Sequence, residues 1–178
     1  MRAASLVLVL IGGCCLWVLL LLDRLVRLRN RVTTAWKRVD VELQRRHDLI
    51  PNVMLAVQST VALDAATLTR VIDARNRTIM VGGVTPKAVQ EAELSRALQA
   101  FFALVECHPE LRSHARLQQL LEALRAIEYR LVNAAQGYNT LAAALNALQE
   151  TFPSDVLAGT FHFPPATLFD VTAELPRD

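Results

Sequence analysis

The side chains best suited to chemistry crowd around one proline. They are Arg45, Arg46, His47, Asp48, Pro51 and Asn52. A proline inside a helix removes one backbone donor, and its ring crowds the carbonyl of the residue four positions earlier. We therefore predict a helix kink near residues 47–51, and charged groups gathered at a kink can be held in one geometry. This group, named the Pro51 cluster, is the candidate interaction site of the chain.

The Pro51 cluster also has a purely structural interpretation, which the sequence favours. Its small polar residues, Asp48 and Asn52, would satisfy the backbone groups that the proline leaves unpaired. Its two arginines would form ion pairs with Glu122 or Glu128 on a neighbouring helix. Under this interpretation the cluster holds helices together and does not contact a partner.

The chain shows no spacing typical of a catalytic site. An enzyme needs a nucleophile beside a base, or an acid and a base that share a pocket, and a packed helical rod offers little concavity for either. The serines stand in no nucleophile-elbow context, and the sequence has no glycine-rich phosphate loop. We therefore expect no catalytic residue, no cofactor and no enzymatic activity.

Cys107, His108 and His114 come closest to a group of metal ligands. The two histidines stand six positions apart on either side of Pro109, which matches no common ligand spacing. We interpret these residues as a polar corner between two helices and expect no metal site. The other two cysteines lie in an apolar segment, so no cysteine spacing indicates a disulfide framework.

Helical periodicity places the Pro51 cluster on a long first helix. Apolar or small side chains recur there in steps of three and four, which is typical of a helix that packs one face against partners. The members of this seam are Val32, Trp36, Val39, Leu43, His47, Ile50, Met54, Val57 and Val61. The pattern keeps its phase across Pro51 and continues to about Met80, so we predict that the first helix ends there.

Two further helices complete the predicted bundle. The glycine pair at 82–83 marks a loop, a second helix follows with Val89, Leu94 and Leu98 in its buried stripe, and a third spans about 117–152. The sequence thus predicts an all-α fold, in which an N-terminal single transmembrane helix continues into an elongated antiparallel three-helix bundle. The glycine loop would lie far from the membrane, and an irregular C-terminal tail would pack on the bundle.

A membrane anchor is predicted at the N-terminus. Residues 3–22 contain no charged side chain, and the run ends abruptly at Asp23 and a series of arginines. At about 1.5 Å per residue, this segment spans roughly 30 Å, which matches the hydrocarbon core of a bilayer. We therefore divide the chain into a transmembrane anchor (1–23), a helical bundle (24–152) and a tail (153–178).

Two alternatives to a stable anchor remain open. A cleaved signal peptide has a shorter apolar core and a small-residue cleavage site, whereas this run continues through four leucines into arginines. Cys14 follows Gly13 as in a bacterial lipoprotein processing site, although apolar residues continue after it.

The four arginines between residues 24 and 31 favour a cytoplasmic bundle by the positive-inside rule. The expected location is the inner membrane of the cell or a bacterial organelle membrane, with a single span.

Basic residues are concentrated beside the apolar run. Residues 24–52 carry eight basic and three acidic side chains, whereas residues 53–178 carry ten basic and thirteen acidic ones. Each Lys or Arg near anionic headgroups contributes about 1 kcal/mol to membrane binding. A nucleic-acid interface would need basic groups spread over a groove-sized face with aromatic residues among them. We expect the lipid bilayer and other membrane proteins as partners, with a second copy of the chain as a further candidate, and no nucleic acid.

A dense set of residues along the first helix forms a recognisable pattern. Its members are Asn30, Arg31, Val32, Ala35, Trp36, Val39, Asp40, Val41, Leu43, Arg45, Arg46, His47, Asp48, Leu49, Ile50, Pro51 and Asn52. This pattern resembles the signature of the LemA family of bacterial membrane-anchored helical bundles. Further landmarks are 74–76, 108–111, Glu128, 138–139 and 152–154, so the similarity covers roughly residues 30–169. The chain departs from the family pattern at Leu145, where a second tyrosine is common, and at His162, where glycine is common.

The resemblance to the LemA family implies a single-pass anchor and a helical bundle without established enzymatic activity, and one similar branch takes part in magnetosome membrane formation. Our first hypothesis is a membrane-anchored helical scaffold or adaptor, which is non-enzymatic and acts by protein–protein or membrane assembly. The alternative is a regulatory or maturation factor for a membrane protease or kinase. A change in the activity of the partner distinguishes the second hypothesis from the first.

Overall fold

The described chain is all-α, as the periodicity predicts. The computed structural model describes the backbone of residues 2–58, 65–80, 82–112 and 114–170, and the side chains of these residues from residue 10 onward except at 65, 85 and 112. Within these ranges there is no β-strand. The helices there are α1 (Arg2–Gln58), α2 (Ala65–Ile79), α3 (Val84–Glu106), α4 (Pro109–Arg112), α5 (Ala115–Glu150) and α6 (Ser154–Thr160).

Helix α1 passes through Pro51 without a break. The predicted seam is its inner face, and the buried members of that seam are Val32, Val39, Leu43, Ile50, Met54 and Val57. Trp36 and His47 are partly exposed on the same face, and Val61 lies outside the described residues. Hydrophobic burial of this one stripe therefore holds α1 against the rest of the bundle.

The first helix does not extend to Met80, and that prediction is wrong. Helix α1 ends at Gln58, and α2 packs back along its last turns. The Arg75 side chain donates to the carbonyl of His47 (2.8 Å), and the Thr78 hydroxyl lies 3.0 Å from Nε2 of the same histidine. Because both helices turn their apolar stripes to one core, the spacing keeps its phase although the chain reverses direction.

Helix α3 runs parallel to α1. Lys87 forms an ion pair with Asp40, and Glu91, further toward the C-terminus of α3, forms an ion pair with Arg46, which is likewise further toward the C-terminus of α1. The glycine loop that precedes α3 therefore lies beside the middle of α1, and not at the end of the molecule far from the N-terminus as predicted. Gly83 has φ 89°, a backbone conformation that glycine adopts without strain.

Helix α5 runs antiparallel to α1 over most of its length. Arg130 donates to Glu42 (3.1 Å), and further toward the N-terminus of α1 the rings of Trp36 and Tyr138 lie 5.2 Å apart. At about 1.5 Å per residue, α5 is roughly 54 Å long. It is the helix that covers α1 from its middle toward its N-terminal half, as predicted for the third helix.

The bundle contains two apolar cores. The distal core, which is the one further from the N-terminus of α1, is formed by α1, α2, α3, α4 and α5. Its largest fully buried members are Ile50, Leu94, Leu98, Phe101, Leu111, Leu117, Leu121 and Leu124. The proximal core lies mainly between α1, α5 and the tail, and its buried members are Leu25, Val32, Val39, Leu43, Leu131, Ala135, Tyr138, Ala142, Leu145 and Phe169. Because α2 folds back, one half of the bundle has four long helices and the other has two with the tail, in place of three throughout.

Side-chain amides on α5 hold the tail in place. Asn139 both accepts from the backbone N–H and donates to the carbonyl of Phe169, each at 2.8 Å. Asn146, one heptad later, makes the same pair of bonds with Ala166. Two paired hydrogen bonds of this kind satisfy backbone groups that would otherwise be left unpaired beside an apolar core. Phe169 is consequently fully buried.

The tail is not irregular throughout, because it contains α6. This helix fits between Pro153, which precedes its first residue, and Pro164, which follows its end. Proline is tolerated at a helix start but not in a helix interior, so the two prolines leave room for a short helix between them. The prediction of an irregular tail is therefore wrong for residues 154–160.

The apolar run at the N-terminus is exposed where it is described. Its exposed large side chains are Leu10, Ile11, Leu16, Trp17, Leu19 and Leu20. Among the residues described, no helix combines the length and the apolar composition that crossing a bilayer requires. The side chains of residues 3–9, the first part of the predicted span, are not among those that the structure describes.

The contact of Arg75 with His47 replaces a hydrogen bond that Pro51 cannot make, because the N–H of residue 51 would otherwise bond to that carbonyl. We expect Arg75→Ala to lower the free energy of unfolding in urea by about 1–2 kcal/mol. In a Pro51→Ala background the helix supplies its own donor, so the same replacement is expected to cost less. Arg70→Ala, at an exposed position of α2, is the control. Equal costs in the two backgrounds would contradict this role.

Candidate functional site

The structure divides the Pro51 cluster into a buried and an exposed part. Arg46 is fully buried, and the side chain of His47 is 12% exposed. The exposed members are Arg45, Asp48 and Asn52, while Pro51 is half-buried. The six residues therefore do not form one continuous surface, and the two parts have different partners.

Arg46 lies at the centre of a buried group of polar side chains. Its Nη1 atom is 3.1 Å from both carboxylate oxygens of Glu128 and 2.9 Å from the hydroxyl of Ser95. Its Nη2 atom donates to the carboxylate of Glu91 and lies 3.4 Å from the carbonyl of the same residue. The predicted contact of Arg46 with Glu128 is confirmed, whereas Arg45 pairs with Glu42 on its own helix and not with α5.

His47 extends this group to α2. Its Nε2 atom is 2.9 Å from the Glu91 carboxylate and 3.0 Å from the Thr78 hydroxyl. The single proton of that hydroxyl is donated to the carbonyl of Arg75 (2.6 Å), so Nε2 of His47 carries the proton shared with Glu91 and Thr78. The group named the Arg46 layer thus takes one or more side chains from each of α1, α2, α3 and α5. Its members are Arg46, His47, Thr78, Glu91, Ser95 and Glu128.

Electrostatic partners keep Arg46 and Glu91 ionised although both are buried. Desolvation by burial raises the pKa of Glu91, but the hydrogen bond from His47 and the charge of Arg46 outweigh it, so the pKa of Glu91 lies below its ordinary value. Desolvation likewise lowers the pKa of Arg46, and the charges of Glu128 and Glu91 raise it by more. The fold therefore holds a permanent guanidinium between two carboxylates.

The Arg46 layer separates the two apolar cores. Along α1 it is preceded by Leu43 of the proximal core and followed by Ile50 of the distal core. The guanidinium has no exposed surface and most of its donors are used within the protein. Chemically, this arrangement can fix the positions of four helices, and it leaves Arg46 unable to touch a ligand in solution.

The corner between α3 and α5 has structural roles for both of its histidines. The ring Nδ1 of His108 donates to the carbonyl of Leu104 (2.8 Å), and Nδ1 of His114 accepts from the N–H of Leu117 (3.3 Å) as the N-cap of α5. Within the part of the chain that the structure describes, no group of three or more His, Cys, Asp or Glu side chains could hold a metal ion.

Several members of the Arg46 layer are absent from the sequence-based prediction. The predicted stripe of α3 begins at Val89, yet Val89 is 58% exposed and the buried position is Glu91. A signal was present, because Glu91, Leu94 and Leu98 follow the three-and-four spacing of a buried face. Ser95 and Thr78 are small polar residues, which sequence spacing alone assigns equally well to a surface.

These observations define a class of protein: an all-α bundle, built on one long N-terminal helix and held by a buried arginine–carboxylate layer. The chain belongs to the LemA family, because the family model matches residues 35–177. The resemblance that the sequence shows over roughly residues 30–169 is thereby confirmed. None of the curated proteins compared with the chain matches it.

Removal of the buried guanidinium is expected to destabilise the bundle strongly. Arg46→Met leaves two carboxylates without their cation, so we expect a loss of about 3–5 kcal/mol in the free energy of unfolding in urea. Arg45→Met, the matched control one residue away, removes an exposed arginine and leaves Glu42 its contact with Arg130, so it should cost less than about 1 kcal/mol.

A compensated variant separates lost charge balance from lost packing. When Arg46→Met is combined with Glu91→Leu and Glu128→Leu, no unpaired buried charge remains, and much of the stability should return. Equal stability of the Arg46→Met and Arg45→Met proteins would contradict the assigned role. If Arg46→Met does not fold, recovery of helical circular dichroism in the triple variant still tests it.

The ionisation of Glu91 predicts a specific acid sensitivity. Because its pKa in the fold lies below its unfolded value, the ionised carboxylate stabilises the fold above about pH 4.5, and this contribution is lost as the pH falls through the folded pKa. Urea unfolding of Glu91→Gln across the acid range should therefore show a shallower dependence on pH than the parent chain. Glu93→Gln, which removes a more exposed pair with Arg77, should keep the parent slope. A parent-like slope for Glu91→Gln would refute the assignment.

Proposed function

We propose that the chain is a membrane-anchored, non-enzymatic scaffold or adaptor that acts by assembly with other membrane proteins or with the membrane. One observation carries this proposal: helix α1 continues from an exposed apolar run directly into the wall of the bundle. A rigid connection of this kind presents the bundle at a fixed place beside the membrane. The proposed role is to hold the bundle in a defined position, and this role requires no catalytic group.

The boundary between run and bundle supports the anchor. Leu16, Leu19 and Leu20 are each more than half exposed, whereas Leu25 is fully buried. A contiguous exposed apolar surface on a protein is typical of a contact with a membrane or with another protein. Arginines begin at the same boundary, with Arg24 directly before Leu25, where anionic headgroups would attract them.

The arginines also set the proposed orientation and location. Four of them lie between residues 24 and 31, on the bundle side of the apolar run. Positive residues flanking a span tend to be retained on the cytoplasmic side, and this tendency supports a cytoplasmic bundle. We propose the inner membrane or an organelle membrane of a bacterium as the location, with a single span.

The exposed part of the Pro51 cluster supplies the proposed partner surface. Arg45, Asp48 and Asn52 follow one another in steps of three and four, and the same steps lead to exposed Val41 on one side and Leu55 on the other. These five residues therefore form one outer stripe along α1. Exposed side chains that recur in steps of three and four along a helix are placed to meet a partner helix.

The outer stripe can be tested in living cells. Chemical crosslinking of the full chain in intact cells, followed by mass spectrometry, should recover specific membrane proteins. Combined Arg45→Glu and Asp48→Arg should abolish their recovery without loss of helical circular dichroism, because both side chains are exposed. Combined Arg116→Glu and Glu122→Arg, at exposed positions of α5, is the matched control and should leave recovery unchanged.

The same cells test the anchor. Combined Leu16→Arg and Leu20→Arg places charges in the apolar run, each costing about 2.5–3.5 kcal/mol at the centre of a span, so the chain should leave the membrane fraction. Leu55→Arg, at a similarly exposed leucine outside the run, should leave the chain in the membrane fraction.

Partners that are still recovered with the Arg45→Glu and Asp48→Arg variant would refute the proposed surface. If loss of the chain altered the turnover of a captured protease or kinase, the regulatory alternative would replace the scaffold.

A further inference from the structure

A second apolar patch is exposed at the end of α5 and on α6. Phe152 is 78% exposed, Val156 58% and Phe161 56%. Phe152 and Phe161 flank α6, and Val156 lies within it, while Ser154 and Ala158, one helical turn apart in α6, are buried. Helix α6 therefore packs one face on the bundle and presents apolar groups outward. These three exposed residues are named the α6 patch.

The α6 patch lies level with the end of the apolar run. Trp36 is opposite Tyr138, and Leu25 is eleven residues further toward the N-terminus of α1, a distance of about 16 Å. The same distance along antiparallel α5 reaches its last turn, and α6 follows directly and contacts α1. Leu157 of α6 packs against the proximal core that contains Leu25.

The surroundings of the α6 patch match the chemistry of a lipid surface. The exposed apolar run of α1 ends at the same position along the helix axis as the α6 patch. The patch therefore lies directly beside the last residues of that run. Arg24 and Arg27 stand at this same level and are exposed, and Arg27 also pairs with Asp23. Aromatic and aliphatic side chains beside cationic groups are the composition of segments that lie in the interface of an anionic membrane.

We propose that the α6 patch inserts into the boundary between headgroups and acyl chains, so that α6 is a second membrane contact beside the anchor. The inference rests on the proposed membrane anchor. A single helix leaves tilt and rotation of the bundle undefined, and a second contact to one side of that helix fixes both. It thereby determines the direction in which the outer stripe of α1 points.

Depth measurements on the full chain test this contact. The native cysteines are replaced (Cys14→Ala, Cys15→Ala, Cys107→Ser), a single cysteine is introduced by Phe152→Cys, and an environment-sensitive nitrobenzoxadiazole dye is attached. In vesicles of phosphatidylethanolamine and phosphatidylglycerol, the dye emission should shift to the blue. Lipids with a nitroxide at the headgroup should quench it more strongly than lipids with a nitroxide at the chain end. Phe161→Cys should give the same result.

Two further labelled variants separate the outcomes. Tyr129→Cys replaces a side chain that is 71% exposed and lies about 35 Å further along α5, so it should show neither blue shift nor quenching. Leu20→Cys reports the anchor and should be quenched best by nitroxides deep in the chains. Quenching at residue 20 without quenching at residues 152 and 161 overturns the α6 contact and leaves the anchor standing. Absence of quenching at all three positions overturns both, and a blue shift at 152 without lipid quenching assigns the patch to a protein contact instead.

Discussion

The ion pairs of one buried arginine set the arrangement of the whole bundle. Apolar stripes with three-and-four spacing can slide past each other by a turn and still bury similar surface. Apolar contacts alone therefore define the register of one helix against another only weakly. Arg46 removes that freedom, because a desolvated guanidinium is tolerated only where Glu91 and Glu128 both reach it. A displaced helix would leave a charge buried and unpaired. The layer therefore specifies which turns of α1, α3 and α5 face one another.

The proline beside this layer has a related effect on α2. By removing one donor, Pro51 leaves the carbonyl of His47 available, and Arg75 reaches it from the helix that folds back. The ring of the same histidine contacts Thr78 and Glu91. One short segment of α1 thus contacts all three of its neighbouring long helices. Its opposite side carries only exposed residues, which is why a single cluster in the sequence has both a structural and a surface part.

The sequence predicts the regular parts of this fold and misses the places where polar residues act inside it. The buried faces of α1 and α5 follow from their spacing, since burial of one stripe produces that period. The beginning of α2 as a separate helix is missed because residues 59–64 contain neither Gly nor Pro and the period continues on both sides of them. Asp64, a residue type that often precedes a helix, is the one available signal in the sequence. Glu91 is missed because an isolated acidic residue is ordinarily exposed, and only its partner Arg46 makes burial tolerable.

The order of segments along the chain gives the proximal core a delayed completion. Its first members, from Leu25 to Leu43, leave the ribosome more than a hundred residues before Phe169, whose ring closes the same core. At about 5–20 residues per second, translation leaves the apolar seam of α1 without its final cover for roughly 6–25 s. Throughout that interval the nascent chain exposes apolar surface, so chaperones that bind such surface would protect it from aggregation.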